Sequence, residues 1–182
     1  MRKQLVALAI AGTAVASLFA APSAQAADTD TTFVLSAAGG LSVSVPASKE
    51  LSAGTATNAG TLTAQLGATQ VQDLRGALLG AWTATVTSSD FTTGEGTADE
   101  TISKSNVSYW SGAATATSGT AVMVPGQATA LLAQALSASR TAFSATGTVG
   151  NNSATWNPTI VVSIPADAVV GTYEGTITHS IA

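Results

Sequence analysis

Apolar side chains recur at every second position in short runs along this chain. That period of two marks β-strands with one buried face and one wet face. The clearest run is the last, Thr172 to Ile181, with Tyr173, Ile177, His179 and Ile181 on one face and Glu174, Thr176, Thr178 and Ser180 on the other. Ile160 to Ile164 alternates in the same way, and Pro165-Ala-Asp-Ala-Val-Val-Gly171 between the two supplies a stop, a polar tip and a flexible glycine. The two runs are expected to pair with each other and close the fold. Such a pair cannot stand alone, so the upstream chain has to supply a second sheet that covers Ile160, Val162, Ile164, Tyr173 and Ile177.

The upstream chain carries enough strand signals to do so. Thr32 to Leu35 is short and reads as an edge; Leu41, Val43 and Val45 alternate up to Pro46; Leu62, Ala64 and Leu66 alternate after a polar, Gly-rich stretch. Val71 begins a further segment that breaks at Asp73-Leu-Arg-Gly76, and the next strand puts Trp82, Ala84 and Val86 on one face. A Gly-rich acidic loop with Glu95, Asp99 and Glu100 follows, then Ile102 and the apolar set Val107 and Tyr109. From Gln127 to Arg140, Ala128, Leu131, Leu132, Ala135 and Leu136 fit helical spacing as well as a loose strand, so a short helix near Gln127 to Ser137 is open. Thr141 to Ala145 alternates around Phe143, and Gly147 to Asn157 reads as a turn-rich bridge to the closing pair. Eight or so short strands with regular turn signals predict an all-β fold, an antiparallel β-sandwich of immunoglobulin-like or Greek-key type with at most one short helix.

Residues 1–26 have a different character. Arg2 and Lys3 precede an apolar run from Leu5 to Phe19, then Pro22 and the small-residue site Ala24-Gln25-Ala26. This is the pattern of a secretory signal peptide cleaved after Ala26. The expected product is one domain, 27–182, exported to the extracellular space or cell surface and with no membrane span after cleavage. It retains four basic residues, Lys49, Arg75, Lys104 and Arg140, against ten acidic ones, a net charge of −6. That argues against nucleic acid and against an anionic membrane surface as partners. The chain has no cysteine, so an exported fold of this sequence is held by packing, without disulfides or thiolate metal sites.

Catalytic patterns are scarce. A Ser-His-Asp arrangement needs a histidine base, and the single histidine, His179, lies on the apolar face of the last run. There is no G-x-S-x-G elbow, no H-E-x-x-H and no Gly-rich phosphate loop opening a helix. The loop of Asp90, Glu95, Asp99 and Glu100 lacks the ligand spacing of a helix-loop-helix calcium site and reads as a solvated loop. The chain is therefore expected to be no enzyme and to need no cofactor or metal.

Two stretches carry a family likeness. Asp73-Leu-Arg-Gly76 followed by Ala81-Trp82-Thr83-Ala84-Thr85-Val86, and Ile164-Pro-Ala-Asp-Ala-Val-Val-Gly-Thr-Tyr173 with Gly175-Thr-Ile-Thr-His-Ser-Ile181, resemble the WxL-domain family. Its members are secreted surface proteins of Gram-positive bacteria, β-sandwiches that associate noncovalently with the cell wall and carry one W-x-L motif in a middle strand and one in the last. Here the first motif reads Trp82-Thr-Ala84, with Ala in the Leu place, and the second reads His179-Ser-Ile181, with His in the Trp place. Ala84 and Ile181 keep the apolar alternation that packing needs.

The resemblance implies noncovalent association with peptidoglycan or another surface glycan, with other surface proteins as further partners. Candidate binding residues are the aromatics Trp82, Trp110, Trp156 and Tyr173, together with His179. The alternation of Trp82 with Ala84 and Val86 suits a core position, while Trp110, beside Gly112, and Trp156, beside Asn157-Pro158, read as loop residues and the better glycan platforms. The alternative function is a structural subunit of an extracellular fibre, coat or surface complex.

Overall fold

The computed structural model describes residues 39–51 and 58–182, which fall within one unit, Ser36–Ala182. The expected signal peptide, 1–26, and the expected edge strand, Thr32 to Leu35, lie outside the described residues. Twelve strands are described: β1 (Leu41–Ser44), β2 (Thr61–Gln65), β3 (Thr69–Asp73), β4 (Leu78–Ser88), β5 (Phe91–Thr92), β6 (Thr101–Ile102), β7 (Val107–Trp110), β8 (Ala114–Pro125), β9 (Gln134–Ala135), β10 (Arg140–Trp156), β11 (Thr159–Ser163) and β12 (Ile177–Ile181). All pair antiparallel, in a six-stranded sheet ordered β1-β3-β10-β4-β12 with β8 also on β10, a four-stranded sheet ordered β2-β11-β7-β9, and a β5-β6 ribbon. The fold is all-β and sandwich-like. Val71, Trp82, Ala84, Val86, Phe143 and Trp156 of the larger sheet share one core with Val107, Tyr109, Ile160 and Val162 of the smaller.

The spine of the larger sheet is β10, 17 residues long. Phe143 and Trp156 stand near its opposite ends, roughly 40 Å apart were the strand straight. Their ring centroids are 4.9 Å apart, so the strand bends back on itself. The bend lies where register shifts against β4 and β8, between Thr146 and Ser153, and Gly147 and Gly150 take positive φ of 62° and 69° there. Bulges of this kind advance the side-chain alternation by a residue and raise the local twist. Inward positions accordingly change from odd, Phe143 and Ala145, to even, Thr148, Asn152, Ala154 and Trp156, all of them buried. The expected turn-rich bridge from Gly147 to Asn157 is thus strand. Its glycines bend the ladder without ending it.

The bend also changes β10's neighbour. Its first half pairs with β4, and from Asn152 onward it pairs with β3. At this fork Asp73 is fully buried. Its carboxylate accepts from Arg75 Nε at 2.8 Å, Arg75 Nη2 at 3.0 Å, the Arg75 backbone N at 3.1 Å and Asn152 Nδ2 at 3.2 Å. Asn152 Oδ1 in turn accepts from Trp82 Nε1 at 2.9 Å, and Arg75 Nη2 also donates to Ala81 O at 2.8 Å. One network therefore ties β3, β4 and β10 where they diverge.

Two other expectations are corrected, and one alternative left open is decided. The runs at Ile160 to Ile164 and Thr172 to Ile181 do not pair: β11 has β2 and β7 on its two sides, whereas β12 pairs with β4 in the other sheet. Regular strand in the last run is confined to β12, because the chain before it is held by the ribbon through a Thr92–Glu174 bridge. The helix left open near Gln127 to Ser137 is a single 3-10 turn, Ala130–Leu132, followed by β9. Its apolar stripe has nothing to pack on, since Leu131 is 97% exposed, and Leu136 is instead drawn into the core by its N–H to Val107 O at 2.8 Å. β8, which carries no cue beyond small residues and a short Val-Met-Val run, is additional.

Asp73 is buried while Arg75 keeps solvent access, so removing the carboxylate leaves Asn152 Nδ2, rather than the guanidinium, buried without its carboxylate partner, at about 1–3 kcal/mol. Asp73→Ala is expected to lower the unfolding free energy by that amount, read as a lower urea midpoint at unchanged slope. Asp167→Ala, at an exposed position, should stay within about 0.5 kcal/mol.

Candidate functional site

The five aromatic and imidazole side chains singled out in the sequence separate into a buried group and two outer positions. Trp82 is 1% exposed and Trp156 is 0% exposed. Trp82 stacks on Phe143 at 6.4 Å, Phe143 on Trp156 at 4.9 Å, and Trp156 meets the His179 ring edge-on at 6.3 Å. The expectation that Trp156 lies in a loop fails, because it is the last inward residue of β10. The folded-back strand brings it under Phe143. Truncation of a buried ring of this size costs about 3–5 kcal/mol, so Trp82 and Trp156 are core residues and offer no platform to a ligand.

His179 is half-buried on the inward face of β12, opposite Val86 of β4. Trp156 Nε1 donates to the Tyr109 hydroxyl at 3.2 Å, and that hydroxyl lies 3.2 Å from His179 Nε2. With the indole donating to its oxygen, the Tyr109 hydroxyl satisfies its own O–H by donating to Nε2 when the imidazole is neutral and carries its proton on Nδ1. Burial pushes the Tyr109 phenol well above its ordinary value and the His179 imidazole down to about 4. His179 therefore ends a hydrogen-bonded chain, Trp156 to Tyr109 to His179. Tyr109 and Phe143, which complete this cluster, were visible in the sequence only as members of apolar alternations, and Asn152 only as part of an apparent turn.

Tyr173 is half-buried in the connection between β11 and β12. Its hydroxyl donates to Val169 O at 2.9 Å, with Asp99 O at 3.2 Å. It lines a shallow cleft of about 120 Å³ together with Asn58, Ile102, Ile164, Ala168 and Val169. Its contacts fasten two loops together. In the neighbouring acidic loop the Glu100 carboxylate accepts from the backbone N of Thr97 at 3.0 Å and of Glu95 at 3.2 Å, and from Thr97 Oγ1 at 2.9 Å. These hydrogen bonds hold the Glu100 carboxyl below its usual range. Among the described residues no group of three or more His, Asp or Glu is placed to hold a metal ion.

Trp110 is the one tryptophan with accessible surface. It also is no loop residue: it ends β7, half-buried, on the outer face of the four-stranded sheet. Register puts Thr159 and Gln65 in its row, and Ser108, Val161, Thr63 and Ala135 in the next. This face therefore carries one indole among hydroxyls, an amide and small apolar groups. No charged residue occurs in β2, β7, β9 or β11.

No family model matches the chain, and no curated protein matches it.

On the acid limb of stability His179 acts at the higher pH, and the carboxylates Asp73 and Glu100, both held below their usual range, act beneath it. His179 has a lower pKa folded than unfolded, so the unfolded chain binds the extra proton first. Its contribution is complete above about 6.5 and is lost as pH falls towards about 4. Asp73 is held below 3.8, chiefly by hydrogen bonding to Arg75, so its contribution is present above that value and is lost further down. Thermal melts against pH should show two successive declines, and His179→Gln should remove the first and leave the second.

Proposed function

We propose that this chain is a secreted, non-enzymatic surface protein that associates noncovalently with cell-wall peptidoglycan or another surface glycan. The contact surface is the outer face of the four-stranded sheet around Trp110. The carrying observation is that Trp110 alone among the tryptophans is accessible, on a sheet whose own strands carry no charged residue. Sugars are recognised by stacking of their apolar faces on aromatic rings and by hydrogen bonds to hydroxyls and amides, and this face offers both. The export-type segment at 1–26 and the resemblance of the Asp73–Val86 and Ile164–Ile181 stretches to the WxL-domain family support the same reading. It modifies the sequence expectation in one respect, because Trp82, Trp156, Tyr173 and His179 serve the fold and Trp110 carries the contact.

With the expected net charge of −6, attraction to wall polymers that are themselves commonly anionic has to be short-range. Raising salt shortens the Debye length from about 8 Å to about 3 Å at 1 M, which weakens repulsion and leaves stacking intact. Co-sedimentation with purified peptidoglycan should therefore hold or improve at high salt. Trp110→Ala should weaken it about tenfold or more with the circular dichroism spectrum unchanged. Release by salt, or full binding by Trp110→Ala, would refute this mechanism. Absence of sedimentation at any salt would favour the alternative, a structural subunit of a fibre, coat or surface complex.

A further inference from the structure

Strand β8 is the long open edge of the larger sheet. It runs 12 residues, and among the described residues its partner is β10 on one side. The remaining edge strands, β1, β2, β9 and β12, have five residues or fewer. Natural sheets usually block such an edge with lysine, proline or an inward-pointing charge, because its free N–H and C=O groups invite another strand. β8 has no charged residue, and its one proline, Pro125, is the terminal position. Gly119, at φ +77°, interrupts the strand and sets off an arm from Thr120 to Val124. On that arm Val122 is 65% exposed and Val124 is 51% exposed, unusual for β-branched residues on a sheet.

We infer that this arm pairs antiparallel with the same arm of a second copy, centred on Val122, and joins two larger sheets into one. The sequence Thr-Ala-Val-Met-Val is matched to itself in that register. Val122 meets Val122, and Thr120 meets Val124, all from the exposed face; Ala121 meets Met123, both from the inward, half-buried face. A register displaced by one residue would set exposed side chains against inward ones.

Charge leaves this edge open to a second copy. A chain with ten acidic residues repels itself wherever they gather, and in a two-fold pair each charge also meets its own image. None lies here: across β4, β8 and β10 the single charged residue is Arg140, beyond the end of the arm. The pairing is isologous, so it closes at two and does not propagate into a fibre. Five residues a side make a small interface, which implies a weak, concentration-dependent dimer.

The test uses the purified chain and the absence of native cysteine. Residues directly opposed across an antiparallel pair hold their Cβ atoms about 4.5–5.5 Å apart, within reach of a disulfide after a small shift. Val122→Cys should give a covalent dimer on mild oxidation. Val124→Cys faces Thr120 of the other copy and should not. Sedimentation velocity over roughly a hundredfold dilution should show a monomer–dimer equilibrium, abolished by Val122→Lys, which places two like charges at the centre, and retained by Val122→Thr. Circular dichroism verifies the fold of each variant. Val122→Lys should still co-sediment with peptidoglycan, since the Trp110 face belongs to the other sheet. A wild-type chain monomeric throughout, equal cross-linking of both cysteine variants, or β8 amides already protected from exchange in the dilute monomer would overturn the proposal.

Discussion

A carboxylate without water has to be surrounded by donors, and Asp73 meets that demand with three side-chain hydrogen bonds and one backbone hydrogen bond. An isolated buried charge would cost several kcal/mol, so these partners are a condition of the fold. Their positions explain the architecture around them. Arg75 is two residues on, in the turn that leads to β4; Asn152 is the residue at which β10 changes neighbour; Trp82 reaches the same amide from β4. With Asn152 Nδ2 facing the carboxylate, its Oδ1 is left to accept from the indole, so a single amide orientation serves both partners. The network ties the three strands together where they diverge.

Because β10 bends there, the two halves of one strand contribute to the same core. The bend lays Trp156 on Phe143 and places Trp82 on the other side, so that a chain poor in aromatics gathers three of its largest rings into one stack. The smaller sheet enters this stack through Tyr109, whose hydroxyl joins Trp156 to His179 of β12. The last strand is thereby fastened twice, by its ladder to β4 and by a hydrogen bond across the core. His179 makes an aromatic contact there and a polar one, at the expense of acid tolerance.

With most of the aromatic mass inside, function falls to surfaces of another kind. Both outer sheet faces are assembled from threonine, serine, alanine and valine, and the described acidic residues other than Asp73 lie off the strands of both main sheets. On the smaller sheet a single indole stands among hydroxyls, which suits a sugar; on the larger a bare edge of matched residues suits a copy of itself. The two surfaces belong to different sheets, and each proposal stands without the other.

Alternation of apolar residues is a local property, so the sequence by itself determined the strand character of Leu41 to Val45, Leu62 to Leu66 and Trp82 to Val86, and with it the all-β class. The alternation of Trp82 with Ala84 and Val86 also favoured a core place for it over an exposed one. Which strand pairs with which is non-local, and there the tertiary structure decided: β11 and β12, adjacent in the chain and both alternating, went to opposite sheets because β11 already had a neighbour on each side. The same holds for Gly147 to Asn157. Glycine and asparagine there have the composition of a turn, and only the partner strands and the buried Asp73 show that the backbone continues through them as a bent ladder. Trp156 and Trp110 were misplaced for a related reason, since a proline or glycine beside a tryptophan says that a strand ends nearby but not which face the ring takes. That depends on the register, which the bulges of β10 set and the sequence does not print.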